Sequence, residues 1–262
     1  MSPKDVAVIA ALVSACGSRN FGHKLDCFGR LYGSFDMSSI FVFFQDRDAI
    51  VLHDGYSDSI DRNTLKMYLK GGYLLDPFYV ACITNFSDGL WRMQDLVPDN
   101  FHSSGFMLSK EIHPCISDTA GTLVEEIGYI VNLGNSAYAT YSLMRNSSGK
   151  RFNKDEFSKL EAIQPIVASC IKQHWKCTAT DHLTPAKLSP EWVFHSAFGD
   201  KLTETQQKVV KLILRGHSNA SVAINLSITE GTTKNHRYNI YKRLNITSQA
   251  ELFKIFIDHL LH

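Results

Sequence analysis

The sequence lacks any hydrophobic stretch long enough to cross a membrane. Its longest uninterrupted apolar run covers residues 6–13 and has eight members, whereas a membrane helix needs about 20. The first residues also lack the basic start and the small-residue cleavage site of a secretory signal. We therefore expect a cytoplasmic protein that does not use a membrane as a partner.

Paired cysteines and the common catalytic motifs are also missing. No two cysteines form a CxxC pair, so we expect reduced, mostly buried thiols and neither a metal nor another cofactor. HExxH, GxSxG and a phosphate-binding glycine loop are absent. A Cys–His nucleophile built from His102, His113 and Cys115 is the alternative. Isolated residues of these types are more often structural, so the sequence predicts that the protein is not an enzyme.

Charge divides the chain into two unequal parts. Residues 1–198 carry 18 Lys+Arg and 21 Asp+Glu, whereas residues 199–262 carry nine and five. A basic end indicates nucleic-acid binding. Between the parts, Pro185 and Pro190 interrupt a stretch without periodicity. We predict a sensor domain over 1–177, a linker over 178–200 and a DNA-binding domain over 201–262.

Residues 1–177 mix two periodicities, which indicates an α+β domain with an antiparallel sheet of about five strands. Asn153 and Glu156 have capping-box spacing, and Pro165 should divide the helix that they open. The predicted helices are 4–16, 21–33, 62–70, 99–111 and 154–175, and the predicted strands are 39–45, 49–53, 90–96, 122–133 and 137–145.

Four helices are predicted after residue 202. Thr203 with Gln206, and Ser248 with Glu251, have the spacing of capping boxes, and Ser218 is a third cap. In the third of these helices, a turn of about 100° per residue defines two faces. Thr233, Ile240 and Leu244 share the inward stripe, and the outward face carries Lys234, Asn235, Tyr238 and Lys242.

The outward face carries amide, phenol and ammonium groups, which bind base edges and phosphates. An ordinary solvated helix face is the alternative, as is a helix-turn-helix that binds another protein. Two short helices joined by a tight turn, with the second one basic, favour insertion of that helix into the major groove of double-stranded DNA.

This C-terminal part resembles the LuxR/FixJ helix-turn-helix family over about 60 residues. The matching segments are Leu202-Thr-Glu, Gly216-His-Ser-Asn, Val222-Ala, Leu226-Ser-Ile, Thr232-Thr-Lys-Asn-His, Asn239-Ile and Lys242-Arg-Leu. The resemblance implies an all-α domain of four helices that usually acts as a dimer. It also implies that Lys234, Asn235 and Tyr238 face the groove, and that Thr232 and Lys242 lie near the DNA backbone.

The chain departs from the family pattern at several positions. Thr205-Gln206 stands where the pattern usually has Arg-Glu, whose acidic residue makes a structural pair, and Gln249 replaces a usual Arg. The last helix carries more apolar surface than one core face needs, through Leu252, Ile255 and Phe256. That surface is either buried or forms the seam of a homodimer, whose two-fold symmetry would require half-sites about one helical turn apart.

A phosphorylated receiver domain does not fit the N-terminal part, because its segments lack βα repetition. Two acidic pairs, Asp46 with Asp48 and Glu125 with Glu126, are therefore expected to be solvent-exposed carboxylates. Instead, residues 68–78 resemble the aromatic–aromatic–Asp-Pro arrangement of autoinducer-binding or GAF-like domains. The resemblance implies that aromatic side chains line a pocket and that the aspartate binds a ligand amide.

Aromatic residues cluster where the resemblance places the pocket, and pockets are largely apolar with a few fixed polar groups. The candidate ligand-binding residues are Phe41, Phe43, Tyr68, Tyr73, Asp76, Phe78 and Trp91. A plain aromatic core, with Asp76 only starting a helix or turn, is the alternative.

Together these observations predict a DNA-binding transcription regulator that is controlled by a small-molecule effector and contacts RNA polymerase. Two other regulators remain open. One is a receptor for an acyl-homoserine lactone or a related signal. The other is a ligand-independent regulator whose N-terminal domain serves only dimerisation or partner binding.

Overall fold

A computed structural model describes residues 2–56, 61–109, 112, 123–146, 150–182 and 190–261 of the chain. The strands are β1 (Met37–Phe44), β2 (Ile50–Gly55), β3 (Gly89–Arg92), β4 (Glu125–Gly134) and β5 (Ala137–Arg145). The N-terminal helices are α1 (Pro3–Ala15), α2 (Phe21–Gly29), α3 (Arg62–Lys70), α4 (Pro77–Ile83), α5 (Met93–Leu96), α6 (Gly105–Leu108), α7 (Lys154–Ala162) and α8 (Gln164–His182), and 3-10 turns cover Gly72–Leu75 and Phe101–Ser103. The C-terminal helices are α9 (Pro190–Phe198), α10 (Glu204–Leu214), α11 (Asn219–Leu226), α12 (Glu230–Leu244) and α13 (Gln249–Leu261).

The five strands form one antiparallel sheet in the order β2-β1-β5-β4-β3. Two hairpins, β1–β2 and β4–β5, meet in the centre, where Met37 pairs with Met144 and Phe44 pairs with Ala137. The predicted α+β fold with about five strands is confirmed, and so are both hairpins. Helix α3 occupies Arg62–Lys70 as predicted and ends at Gly71.

Both faces of the sheet are covered. Along β1, Ile40 and Val42 belong to a core cluster with helices α1, α2, α7 and α8, whereas Phe41 and Phe43 point into a second cluster with α3, α4 and the C-terminal helices. Every residue of β1 and β5 is buried as a result. Because neither face of this sheet meets water over most of its area, polar residues on its central strands are buried as well.

The expectation of exposed acidic residues is therefore wrong for the pair in β4. Glu125 and Glu126 are 8% and 6% exposed. Glu125 accepts hydrogen bonds from Arg92 and, at 2.6 Å, from the backbone N–H of Phe152. Glu126, on the opposite face of the strand, points toward α3 and α4 and lines a cavity between them and the sheet.

Two local expectations were also wrong. The predicted strand over 90–96 ends at Arg92, and α5 follows it. The predicted helix over 99–111 is instead a 3-10 turn followed by the short α6. Ser104 separates them because its extended backbone breaks the helix, while its hydroxyl accepts from the N–H of Met107 and caps α6. Residues 110 and 111 of that prediction lie outside the described residues.

Capping and proline signals predicted several other helix boundaries correctly, but α2 ends at Gly29 and not at residue 33, and α8 continues to His182 beyond the predicted end at 175. Asn153 and Glu156 form a reciprocal capping box at the start of α7, and the helix is divided before Pro165 into α7 and α8. Thr203 and Gln206 form the same box at α10, and Ser218 caps α11. Helix α9 lies inside the segment predicted as a linker, and the domain boundaries at 177 and 201 stay a prediction.

No helix in the described part of the chain is long and apolar enough to span a membrane.

Candidate functional site

Helix α12 is anchored by one narrow apolar stripe. Thr233 and Ile240 are 0% exposed and Leu244 is 9% exposed, which confirms the predicted inward face. The helix begins at the cap Thr229, whose hydroxyl accepts from a backbone N–H, and ends at Asn245 in the left-handed conformation. The stripe leaves the opposite face of the helix available to a partner.

The outward face of α12 is open to solvent. Lys234, Asn235 and Lys242 are exposed, and the side chain of Tyr238 is 67% exposed. Lys234 makes an ion pair of 2.8 Å with Glu230 one turn earlier, and exposed pairs of this kind contribute little stability. The candidate DNA-binding residues therefore form one accessible surface, and their contacts with DNA stay a prediction.

Thr232 sits at the N-terminal edge of this surface and is half-buried. Its hydroxyl lies 2.8 Å from the hydroxyl of Thr229, the helix cap. The structure thus places Thr232 next to the positive end of the helix dipole, where the first backbone N–H groups favour an anion such as a phosphate.

Two arginines that sequence reasoning missed fix α12 against its neighbours. Arg237 donates from its Nη1 and Nη2 atoms to Asn219 on α11 and Gln249 on α13, each at 3.4 Å. Arg243 donates from Nη1 to Oε1 of Gln206 on α10 at 3.1 Å. Gln206 therefore keeps a structural pair through its amide. Arg237 and Arg243 thus brace α12 against α10, α11 and α13, whereas Lys234 and Lys242 remain on its outward face.

Most of the aromatic residues predicted to bind a ligand surround a small cavity between the sheet and helices α3 and α4. A volume of about 10 Å³ remains inside it, which is room for a single water-sized group. The lining residues are Ser39, Phe41, Phe43, Tyr56, Tyr68, Asp76, Phe78, Glu126, Thr140 and Ser142. Five of the seven predicted ligand-binding residues are among them.

Tyr73 and Trp91 are the two predicted residues outside the cavity wall. Tyr73 is 1% exposed and stacks behind the wall, with its ring centroid 5.9 Å from that of Phe43. Trp91 lies on the edge strand β3, where its ring packs edge-on against Phe86 at 5.3 Å and its Nε1 donates to the carbonyl oxygen of Ser87. Roles for these two residues in ligand binding stay predictions.

Asp76 is held in place by the turn that starts α4. Its side chain accepts from the backbone N–H of Phe78 at 2.7 Å, as a helix cap does, and from the hydroxyl of Tyr68 at 2.8 Å. Burial raises the pKa of Asp76 to about 6, although these hydrogen bonds oppose the shift. Asp76 is thus both a helix cap and a fixed acceptor in the cavity wall.

Glu126 is the second carboxyl of the cavity and was missed by sequence reasoning. Burial and, to a smaller extent, the charge of Asp76 raise its pKa to about 8, against the effect of a hydrogen bond with Ser142. The pair Glu125-Glu126 lies between Val124 and Ile127 in a β-rich segment, and this was the available signal, because a strand that is covered on both faces has no exposed side.

The sensor and the C-terminal helices meet at a close junction. Arg215, at the end of α10, donates from Nε to the carbonyl oxygen of Leu74 at 3.0 Å. Lys70, at the end of α3, donates from Nζ to the carbonyl oxygen of Leu260 on α13 at 3.1 Å. Both contacts join the segment between Tyr68 and Asp76 to the C-terminal helices.

A glycine permits the close approach on one side of this junction. Gly216 has φ +93°, and a Cβ there would lie 2.6 Å from the Cα of Phe101. Its carbonyl oxygen accepts from the N–H of Asn100 at 3.0 Å. Beside it, Asp99 accepts from the backbone N–H and the hydroxyl of Ser218, and these bonds lower the pKa of Asp99.

Helix α13 also packs on the sensor. The ring of Phe253 covers Gly105 at the start of α6 so closely that a Cβ there would lie 2.3 Å from it. Leu252 and Phe256 are 0% exposed. The apolar surface that suggested a dimer seam is packed within one chain in this arrangement, and its use in a dimer stays a prediction.

Known proteins resemble both parts of the chain. Residues 200–256 match the family described as bacterial regulatory proteins, luxR family. A protein of Aeromonas salmonicida described as an HTH-type transcriptional regulator in the exeN 3'region is 30% identical over 194 residues, covering 71% of this chain and 95% of that protein.

The chain belongs to the LuxR family of transcription regulators.

Two further matches each cover a part of this LuxR-family regulator. The transcriptional regulatory protein MctR of Rhizobium johnstonii is 40% identical over 60 residues, 23% of this chain and 28% of that protein. The crystal structure of the VqsR LBD domain from Pseudomonas aeruginosa has a TM-score of 0.56 at 20% identity, covering 67% of this chain and 99% of that chain. The second match supports the α+β fold of the N-terminal part.

Membership of the family makes this LuxR-type chain a DNA-binding regulator of transcription, as the sequence predicted. The alternative Cys–His nucleophile stays a prediction, because two of its three residues, His113 and Cys115, lie outside the described residues. Within the described ranges, no three His, Cys, Asp or Glu side chains are placed to hold a metal ion.

Proposed function

We propose that this LuxR-family regulator binds DNA through the outward face of α12 and that a small molecule in the sensor cavity controls the binding. The single observation that carries the proposal is the double role of residues 68–76. Tyr68 and Asp76, at its two ends, line the cavity. Lys70 and Leu74, between them, hold the C-terminal helices through hydrogen bonds.

This segment links the two sites because it is short and continuous. Tyr68 lies two residues before Lys70, which contacts α13. Leu74, whose carbonyl oxygen accepts from Arg215, lies two residues before Asp76. A cavity of about 10 Å³ admits only a water-sized group, so a larger ligand must separate the rings around it. Separation of Tyr68 from the sheet moves α3 and thereby strains the junction.

The proposed response is release of α13 from the sensor. The recognition face is already open, so docking does not block it. The surface covered in the docked arrangement is that of α13, where Phe253 packs on Gly105. Release would free α13 to pair with a second copy and set two recognition helices for adjacent half-sites. Activation through pairing, followed by contact with RNA polymerase, is the expected result of ligand binding.

A ligand-independent regulator is the second candidate, and one observation favours it. The cavity is far smaller than the 300–1,000 Å³ that drug-sized ligands typically occupy. In that case the aromatic cluster is an ordinary core, and the N-terminal domain serves only dimerisation or partner binding. The two candidates differ in whether a change inside the cavity alters DNA binding.

A cavity-filling variant tests the difference without requiring the ligand. Thr140 lies on β5, lines the cavity and is 2% exposed. Thr140→Met occupies the space, whereas Thr140→Val keeps the original size and is the matched control. We expect the Met variant to change the Kd for a selected DNA duplex at least threefold, measured by fluorescence anisotropy on the full chain. A folded Met variant with the wild-type Kd would favour the ligand-independent regulator.

A further inference from the structure

The wall of the sensor cavity carries two acidic side chains, which is unusual for a pocket that binds a neutral ligand. Asp76 and Glu126 both line it, and the other lining residues are aromatic or carry hydroxyl groups. Among the described residues of this lining there is no lysine, arginine or histidine. Two carboxyl groups therefore share one enclosed space without a basic partner in its wall.

The rings add a second feature. Phe41, Phe43 and Phe78 are each at most 3% exposed, and the ring centroids of Phe41 and Tyr68 lie 4.9 Å apart. The face of an aromatic ring carries negative charge and attracts a cation, most strongly where water is excluded. Aromatic faces combined with buried carboxyl groups are suited to an ammonium ion.

We propose that the ligand of the sensor cavity is a protonated amine, whose ammonium group lies between Asp76 and Glu126 and against the surrounding rings. The inference rests on the proposed function, since it specifies the ligand of the same site. A neutral ligand would use Asp76 alone as an acceptor and would leave Glu126 as a buried acid with no role. A cation uses both acids.

The size of the cavity fits the same assignment. An ammonium group is comparable to the single water-sized group that about 10 Å³ holds. The carbon part of the amine has no such space and must part the rings, which is the movement that the proposed control of DNA binding requires. The charged end thus fixes the ligand, and the apolar end drives the rearrangement.

Proton release accompanies this binding. In the cavity, Glu126 lies with Asp76 at the cap of α4, Tyr68 on α3, Tyr56 just after β2 and Ser142 on β5. Glu125, His102 and Arg151 line a second pocket with it, on the side away from the cavity. Burial and the neighbouring carboxylate raise the pKa of Glu126 to about 8, so the group is largely protonated at pH 7. An arriving cation favours its ionised form, and the proton leaves to solvent. Affinity for an amine should therefore increase as the pH rises from 6 to 8.

Two series of probes matched in size test the charge of the ligand on the full chain. The first comprises phenethylamine, 2-phenylethanol and 3-phenylpropionate, and the second comprises butylamine, butanol and butyrate. We expect an amine to bind at least tenfold more tightly than the alcohol of its series in calorimetry at pH 7.5, and to release protons when two buffers are compared. Weaker or equal binding of the amines, or no binding of either amine, overturns the proposal.

Variants locate the binding within the cavity. Glu126→Gln should weaken amine binding at least tenfold and abolish proton release, whereas Glu161→Gln, which changes an exposed carboxyl on α7, should do neither. Undiminished amine binding in folded Glu126→Gln also overturns the proposal. If instead N-octanoyl-homoserine lactone or an alcohol binds and alters DNA affinity, only the charge assignment fails. If DNA affinity responds to no probe and not to Thr140→Met, the proposed function fails too.

Discussion

Arg215 of the DNA-binding part donates a hydrogen bond of 3.0 Å to the backbone carbonyl oxygen of Leu74 in the sensor. Leu74 lies in a 3-10 turn between two cavity residues, Tyr68 and Asp76. A side chain of the DNA-binding part is therefore bonded to backbone that lies within a few residues of the cavity. In the proposed function, a change in the cavity reaches the DNA-binding part through this contact.

Gly105→Ala should loosen the packing of α13 on the sensor. The added Cβ would lie 2.3 Å from the Phe253 ring, and overpacking of this kind costs about 1–3 kcal/mol. We expect the amides of Gln249–Leu261 to exchange hydrogen for deuterium about tenfold faster, as measured by mass spectrometry. Gly89→Ala is the control, since its Cβ meets only the Trp91 ring, at 3.4 Å or more. Equal exchange in folded Gly105→Ala would show that α13 does not depend on this contact.

Lys242→Ala should weaken DNA binding through loss of a phosphate contact. The side chain is exposed on the outward face of α12 and near its C-terminal end. We expect Kd to rise about five- to tenfold and the slope of log Kd against log salt to fall by about one. Lys208→Ala changes an exposed lysine on α10 and should leave both quantities near wild type. An unchanged salt slope in the first variant would remove Lys242 from the DNA contact.

Lys234→Ala should have a smaller effect than Lys242→Ala. Lys234 is already paired with Glu230 at 2.8 Å, and DNA must compete with that carboxylate for it. For the same reason Glu230→Gln should strengthen DNA binding about two- to threefold, because it removes both the competitor and a negative charge near the phosphates. Titrations at two salt concentrations check both variants. Weaker binding by Glu230→Gln would contradict this description of the surface.

Stability should depend on pH through Glu126. Its pKa is raised from the ordinary value of 4.5 to about 8, so the folded protein binds more protons than the unfolded chain between these values. The contribution of Glu126 to the free energy of unfolding is therefore fully present below pH 4.5 and is lost as the pH rises through 8. We expect a loss of about 2–4 kcal/mol between pH 5 and pH 8.5 in urea titrations.

Glu126→Gln should remove most of that loss, because an amide does not titrate. The smaller contribution of Asp76, whose pKa is raised to about 6, should remain. Glu161→Gln changes an exposed carboxyl and should keep the wild-type profile. A profile for Glu126→Gln that matches wild type would mean that the carboxyl is not buried as described.

The features that could be predicted from the sequence were those with local causes. Helix α3 was bounded correctly because Gly71 ends it, and the division at Pro165 follows from proline chemistry. The two faces of α12 followed from helix periodicity, since Ile240 and Tyr238 point in opposite directions. Tyr68, Asp76 and Phe78 were found because they cluster around an Asp-Pro pair, and Phe41 and Phe43 because alternation puts them on one face of a strand.

Features that depend on distant contacts could not be predicted. Glu126 was expected at the surface, since its burial requires that helices cover both faces of the sheet. Trp91 lies on the edge strand and outside the cavity wall. The residues next to it in the sequence do not show where its strand lies in the sheet. The packing of Phe253 on Gly105 joins residues that no local pattern relates.

The central claim is that the outward face of α12 reads DNA, and selection from a random library of duplexes tests it most directly. The full-length wild-type chain should enrich one motif, and Asn235→Ala should alter the preferred bases at defined positions of that motif. The Asn235→Ala, Lys242→Ala double variant should enrich little or nothing. Enrichment of the same motif by the folded double variant would contradict the claim, because DNA would then be read by another surface.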